Sequence, residues 1–155
     1  MNNYDFKAQT GQNGAPYSAF VQVVWRKTRH IGVGRATGKV KGKMFVFYCV
    51  RYYPTGYVKK KKNFRRNVRR GKFSGMTGGL GVMEDIEMFE ISALNTHNML
   101  RSLHGVPALK LNQNLCKTAL EKTGLDKRAM RSEPGMNVFD ICQGAMSGAA
   151  VTKQW

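Results

Sequence analysis

The sequence predicts an α+β fold, on three observations. Residues rich in β-branched and aromatic side chains gather before Pro54, helix-like patterning gathers after Glu84, and a glycine-rich stretch separates the two. Runs of strands followed by runs of helices belong to the α+β class rather than to alternating βα units. At 155 residues and 42% hydrophobic content, the chain is long enough to bury a core without disulfides or metal.

Taken in order, the first element lies beyond a loop rich in Gly, Gln and Asn, from Gln9 to Pro16. Phe20, Val21, Val24 and Trp25 follow at the spacing of a short amphipathic helix, with Ser18 placed to cap it. Ile31 and Val33 alternate with Gly32 and Gly34, and Met44 to Tyr53 is strand-like throughout. With the turn-prone stretch Thr37 to Lys43 between them, this reads as an antiparallel hairpin with a long loop, ended by Pro54 and Gly56.

Gly71 to Val82 carries five glycines and reads as a linker. After it, Glu84, Asp85, Glu87 and Glu90 suit the first turn of a helix. That helix carries Ile91, Leu94, Asn98 and Arg101 on one side and stops at Gly105-Val106-Pro107, Gly taking the left-handed position just past the end. Asn112 is placed to cap a further helix with Leu115, Ala119 and Leu120. Past Gly124 the pattern fades until Ala149 to Trp155, which reads as the first turns of another helix. The organisation is thus 1–70, a linker at 71–86, and 87–155.

Charge separates the same two parts. The formal charge is +17, and eighteen Lys or Arg stand against the single carboxylate Asp5 from Met1 to Gly75. Met76 to Trp155 holds eight of each sign, so the whole excess lies in the first part. Nine of the fourteen residues from Lys59 to Lys72 are basic: Lys59, Lys60, Lys61, Lys62, Arg65, Arg66, Arg69, Arg70 and Lys72. Such a block calls for a negative partner. Anionic lipid fits, because each basic residue near a charged bilayer contributes about 1 kcal/mol and the interleaved Phe64 and Phe73 are expected to dip into the interface. Non-specific nucleic-acid binding is the alternative partner for the same residues; no nucleic-acid motif accompanies them.

Little in the sequence points to catalysis. Cys49, Cys116 and Cys142 lack disulfide or zinc spacing and read as reduced thiols. His30, His97 and His104 are not at metal-ligand spacing, and Ser18, Ser132 and Cys49 lack a nearby His and carboxylate pattern. Gly32-Val33-Gly34 has neither the third glycine nor the lysine of a phosphate loop. No apolar run reaches membrane-spanning length, and Met1-Asn2-Asn3 carries no export or myristoylation signal.

The stretch with Thr96-His97-Asn98 and His104-Gly105-Val106-Pro107-Ala108-Leu109-Lys110-Leu111 resembles the opening of the CAP superfamily: cysteine-rich secretory proteins, antigen 5 and pathogenesis-related-1. Phe20-Val21-Gln22-Val23-Val24-Trp25, Gly32-Val33-Gly34 and Arg51-Tyr52-Tyr53-Pro54-Thr55-Gly56 resemble its two later signatures, in the style of the intracellular Golgi-associated branch. The match covers roughly three quarters of the chain, but the late part comes first. The resemblance implies an α-β-α sandwich, either circularly permuted through the linker or assembled from halves of two tandem domains. In the second case the halves could be exchanged in a homodimer.

The family's cleft holds two histidines and two acidic residues. Carried over, the resemblance puts Ala19, Arg131 and Met136 at three of those positions and the fourth beyond Trp155, so neither a metal nor another cofactor is expected. Phe20, Trp25, Tyr52, Tyr53, Pro54, Gly56, His97, Asn98 and Asn137 become cleft or core residues. The resulting expectation is a non-enzymatic protein that binds anionic membrane lipid and, by resemblance alone, a sterol or acyl chain. A degenerate metal-dependent hydrolase is the remaining alternative. The family points to an extracellular location; the absence of an export signal points to the cytosolic face of a Golgi-type membrane.

Overall fold

The computed structural model describes residues 4–11, 17–56, 61–71, 85–123, 133–142 and 144–154. Its centre is a hairpin. Strands β3 (His30–Val40) and β4 (Lys43–Tyr53) pair antiparallel along their full length, from His30 opposite Tyr53 to Val40 opposite Lys43. The long loop expected from Thr37 to Lys43 is absent: Lys41 and Gly42 alone make the turn, both at positive φ. A two-residue turn of that kind matches the twist of the strands it joins. Pairing with the β-rich partner strand then overrides the turn preference of Gly38 and Lys39, which sit opposite Phe45 and Met44.

The second part of the chain supplies both flanking strands. Strand β5 (Lys110–Leu111) runs parallel to β3, and β6 (Met136–Cys142) antiparallel to β4, giving the order β5-β3-β4-β6. A small separate hairpin joins β1 (Tyr4–Asp5) to β2 (Thr10–Gly11). The fold is therefore α+β with a mixed four-stranded sheet, and among the described residues helices, given below, cover both of its faces. Strand β6 lies where the sequence pattern fades, because Asn137 and Asp140 interrupt its short apolar alternation.

One face is covered by α4 (Gln113–Thr123). Its close approach explains the alternating glycines of β3. A Cβ on Gly32 would fall 2.1 Å from the Leu115 backbone, and one on Gly34 2.4 Å from that of Leu120. Asn112 caps this helix, its Oδ1 accepting from the Leu115 N–H at 3.1 Å.

The other face carries the main core. Ile31, Val33, Val46, Tyr48, Val50 and Tyr52 pack toward α3 (Ile86–Leu103) and α5 (Gly148–Gln154), which contribute Phe89, Ala93, Leu100, Ala150 and Val151. Asp85 caps α3 by accepting from the Met88 N–H at 2.8 Å, and Gly105 follows its end at φ +60. Helix α1 (Ser18–Val23) begins one residue earlier than expected. Ser18 is its first helical residue, and Tyr17 holds the cap position without a side-chain bond. Tyr17 is fixed there by ring contacts to Tyr4 and Phe64, and its carbonyl already accepts from the Val21 N–H. Helix α2 (Lys61–Asn67) falls in the basic run, where the sequence reading assigned no helix.

A buried charge ties the halves together. Arg101, fully buried on α3, donates through Nε to the Pro107 carbonyl, through Nη1 to those of Val23 and Trp25, and through Nη2 to that of Thr28, all at 2.8–3.1 Å. Removing one side of a buried charged network costs about 3–5 kcal/mol. Arg101→Met is therefore expected to lower the unfolding free energy by about that much in urea titrations, and Arg101→Lys to stay close to it, since a point ammonium cannot span four carbonyls. Gly32→Ala is expected to cost at least about 1–3 kcal/mol by overpacking against α4; an unchanged urea midpoint would contradict the close approach.

Candidate anion-binding surface

The basic run is organised around two apolar anchors. Phe64 and Val68, one helical turn apart, are buried, which turns Arg65, Arg66, Arg69 and Arg70 outward as exposed pairs. Phe64 packs edge-on against Trp25 at 5.7 Å and Tyr17 at 6.3 Å. It is thus a core residue, and the expectation that it dips into a membrane is corrected. The driving force is the aromatic pocket left by α1 and the Trp25 turn. Phe73, Lys59, Lys60 and Lys72 lie outside the described residues; Lys61 and Lys62 open α2.

A second segment joins this surface. In the turn after β1, Asp5 Oδ1 accepts from the N–H groups of Lys7 at 2.7 Å and Ala8 at 3.0 Å, and the Asp5 carbonyl accepts from Gln9. These bonds, the one to Ala8 foremost, hold the Asp5 carboxyl below its ordinary range. They also fix Lys7 beside the arginines. An open cavity of about 530 Å³ results, lined by Tyr4, Phe6, Lys7, Arg65, Arg69 and Arg70 among others. Arg69 is steadied at both ends: its Nη1 donates to the Gly105 carbonyl at 3.1 Å, and its own carbonyl accepts from His104 Nδ1. Burial lowers the His104 pKa, so the ring stays neutral, with Phe6 and Phe20 against it.

Residues that the resemblance expects in a cleft lie elsewhere. Ser18, Gln22, Glu133, Gly135, Met136 and Asn137 line a cavity of about 330 Å³. Met136 is buried against Cys49 and Ala119, and Ala19 offers its carbonyl to Asn137 Nδ2 at 3.1 Å. Arg131 and Ser132 lie outside the described residues. Glu133 pairs with Lys122 at 2.9 Å and Arg51 at 4.0 Å, and the bond from Lys122 lowers its pKa. Among the described residues, no three His, Cys, Asp or Glu side chains converge as metal ligands would. Cys49 and Cys116 are buried, and burial pushes their thiols up to about 12 and about 11, away from thiolate chemistry; Cys142 is exposed.

Several motif residues interlock. Asn137 Nδ2 donates to Tyr52 Oη at 3.2 Å, Tyr52 donates to His97 Nε2 at 2.7 Å, and His97 Nδ1 donates to the Ala93 carbonyl at 2.8 Å. The Gly56 N–H donates to Gln22 Oε1, and Thr28 Oγ1 to the Pro54 carbonyl. Asn98 exchanges two bonds with Leu109 across the stop of α3. Phe20 and Trp25 are core residues, whereas Tyr53, expected in the core or cleft wall, is 60% exposed and tilts against His30. Strand alternation sends it to the face opposite Tyr52, at the sheet's open end. Sequence reasoning missed Lys7, Gln22 and the role of Arg101; the four-residue step from Phe64 to Val68 was the available sign that the basic run is an anchored helix.

No protein-family model, curated protein or solved structure matches the chain.

The His97 network makes stability depend on pH. Full burial lowers its pKa to about 4, against 6.5 in an unfolded chain. The unfolded state therefore takes up the proton first, so the stabilisation is complete above 6.5 and is lost as pH falls toward 4. The loss is about 3 kcal/mol. Melting temperature is expected to drop steadily between pH 7 and pH 4, and His97→Gln to flatten that slope; a flat profile for the parent protein would contradict a neutral buried His97.

Proposed function

We propose that this chain is a non-enzymatic, CAP-like binding protein that associates peripherally with anionic membrane lipid. The observation that carries the reading is the anchored arginine surface, where buried Phe64 and Val68 hold Arg65, Arg66, Arg69 and Arg70 outward beside Lys7. Cations fixed on a folded surface lose less freedom on binding than a loose tail would, so more of their attraction to phosphate survives as affinity.

The CAP-like part is supported by contacts between residues quoted for the resemblance from both parts of the chain. Tyr52 meets His97, and strands from both parts share one sheet. The non-enzymatic part is supported by what occupies the cleft. Met136 is a thioether packed in apolar surroundings, Ala19 offers only backbone, and Asn137 is committed to Tyr52 and Ala19. None of these three groups can transfer a proton at neutral pH, and the carboxylate that also lines the cleft, Glu133, is paired with Lys122 and Arg51. A sterol or acyl chain as second ligand rests on the resemblance alone.

Co-sedimentation with vesicles tests the reading. Binding is expected to phosphatidylcholine vesicles containing phosphatidylserine and not to phosphatidylcholine alone. At about 1 kcal/mol per basic residue, the double variant Arg66→Gln, Arg70→Gln is expected to bind roughly thirtyfold more weakly. Equal binding to neutral vesicles at moderate salt would overturn the proposal, and RNA displacing the chain at matched phosphate would favour nucleic acid instead.

A further inference from the structure

We propose that the groove between the Phe6-Lys7 turn and the end of α2 is a headgroup site for clustered phosphomonoesters, of the kind carried by a multiply phosphorylated inositol ring. This deepens the anionic-lipid reading and rests on it, but asks for a defined pocket in place of a diffuse charged face.

Convergence is the first ground. Lys7 and the arginines Arg65, Arg69 and Arg70 come from segments far apart in the chain, yet line one concavity of about 530 Å³. That volume is in the range of small-molecule sites. A basic run acting only as a solvated face has no need of Lys7.

Pre-organisation is the second. The Asp5 turn sets the backbone of Lys7 through two N–H bonds, and the same bonds draw the Asp5 carboxylate into the turn. Arg69 is held by Gly105 through its side chain and by His104 through its carbonyl. Phe6, part of the lining, stacks on His104 at 6.2 Å, so lining and arginine share one support. Tyr4 adds no negative charge, since burial above all raises its hydroxyl to about 12.

Charge matching is the third. A phosphomonoester carries about −1.5 to −2 at neutral pH and three acceptor oxygens. Such groups match the sign of the cations that line the groove, and guanidinium forks can meet them two oxygens at a time. A phosphatidylserine headgroup, with a net charge near −1, leaves most of that capacity unused.

The experiment compares the full chain on two sets of phosphatidylcholine vesicles matched in surface charge, one containing phosphatidylserine and the other phosphatidylinositol bisphosphate, with calorimetry on soluble inositol trisphosphate alongside. The bisphosphate vesicles are expected to bind about tenfold more tightly. Lys7→Gln with Arg70→Gln should erase that preference, whereas Arg66→Gln, outside the lining, should weaken both sets alike. One-to-one binding of soluble inositol trisphosphate that depends on Lys7 would assign the site to free polyphosphates as well; preference on vesicles alone would assign it to the lipid headgroup. Equal affinity at matched charge, or a preference that survives Lys7→Gln with Arg70→Gln, would overturn the pocket while leaving the general lipid reading intact. Failure to bind any anionic vesicle or soluble phosphate would overturn both.

Discussion

A single guanidinium, fully buried, holds this fold in register. Placing a charge in a protein interior costs several kcal/mol unless hydrogen bonds replace its hydration. Arg101 recovers that cost from the carbonyls of Val23, Trp25, Thr28 and Pro107. Val23 ends α1, so its carbonyl belongs to the negative end of that helix, where a cation is favoured. Burial lowers the pKa of Arg101 to about 10, which still leaves it charged at neutral pH. The consequences run outward. Arg101 fixes the Trp25 turn, Trp25 receives Phe64, and Phe64 with Val68 turns Arg65, Arg66, Arg69 and Arg70 to the surface.

Much of the helical part was legible because its signals are local. Asp85 capping α3, Gly105 beyond its end and Asn112 capping α4 each act within a few residues of the element they punctuate. The hairpin was legible too, but not its turn, since Gly38 and Lys39 resemble loop residues until their partners across the sheet are known. Strand β6 was lost for a related reason. Its pairing with β4 is stabilised by contacts distant in sequence, and Asn137 and Asp140 blunt the alternation that would announce it.

The candidate site was half legible. Composition pointed to the arginines, but which side chains turn outward depends on the step from Phe64 to Val68 and on the pocket that receives them. Lys7 could not be placed at all, because its nearness to Arg69 follows from the small hairpin folding back over His104. In the cleft, the Tyr52 hydroxyl, the His97 ring and the Asn137 amide satisfy one another and nearby carbonyls. Polar groups paired in this way fix one another's positions and support the fold.

The same geometry bears on why an overall balance between basic and acidic segments does not by itself cancel the arginine surface. Asp85 and Glu87 sit at the start of α3, whereas Arg69 touches Gly105, just past its end. Eighteen helical residues separate those ends by about 27 Å at 1.5 Å per residue, well beyond the roughly 8 Å over which exposed charges interact at physiological salt. Glu133 is engaged by Lys122 and Arg51. The end of α3 meanwhile carries partial negative charge beside which a cation rests favourably, and Arg69 lies next to it, bonded to the Gly105 carbonyl just past the helix. Helix α3 thus keeps those two carboxylates remote from the groove and steadies Arg69 beside a neutral partner.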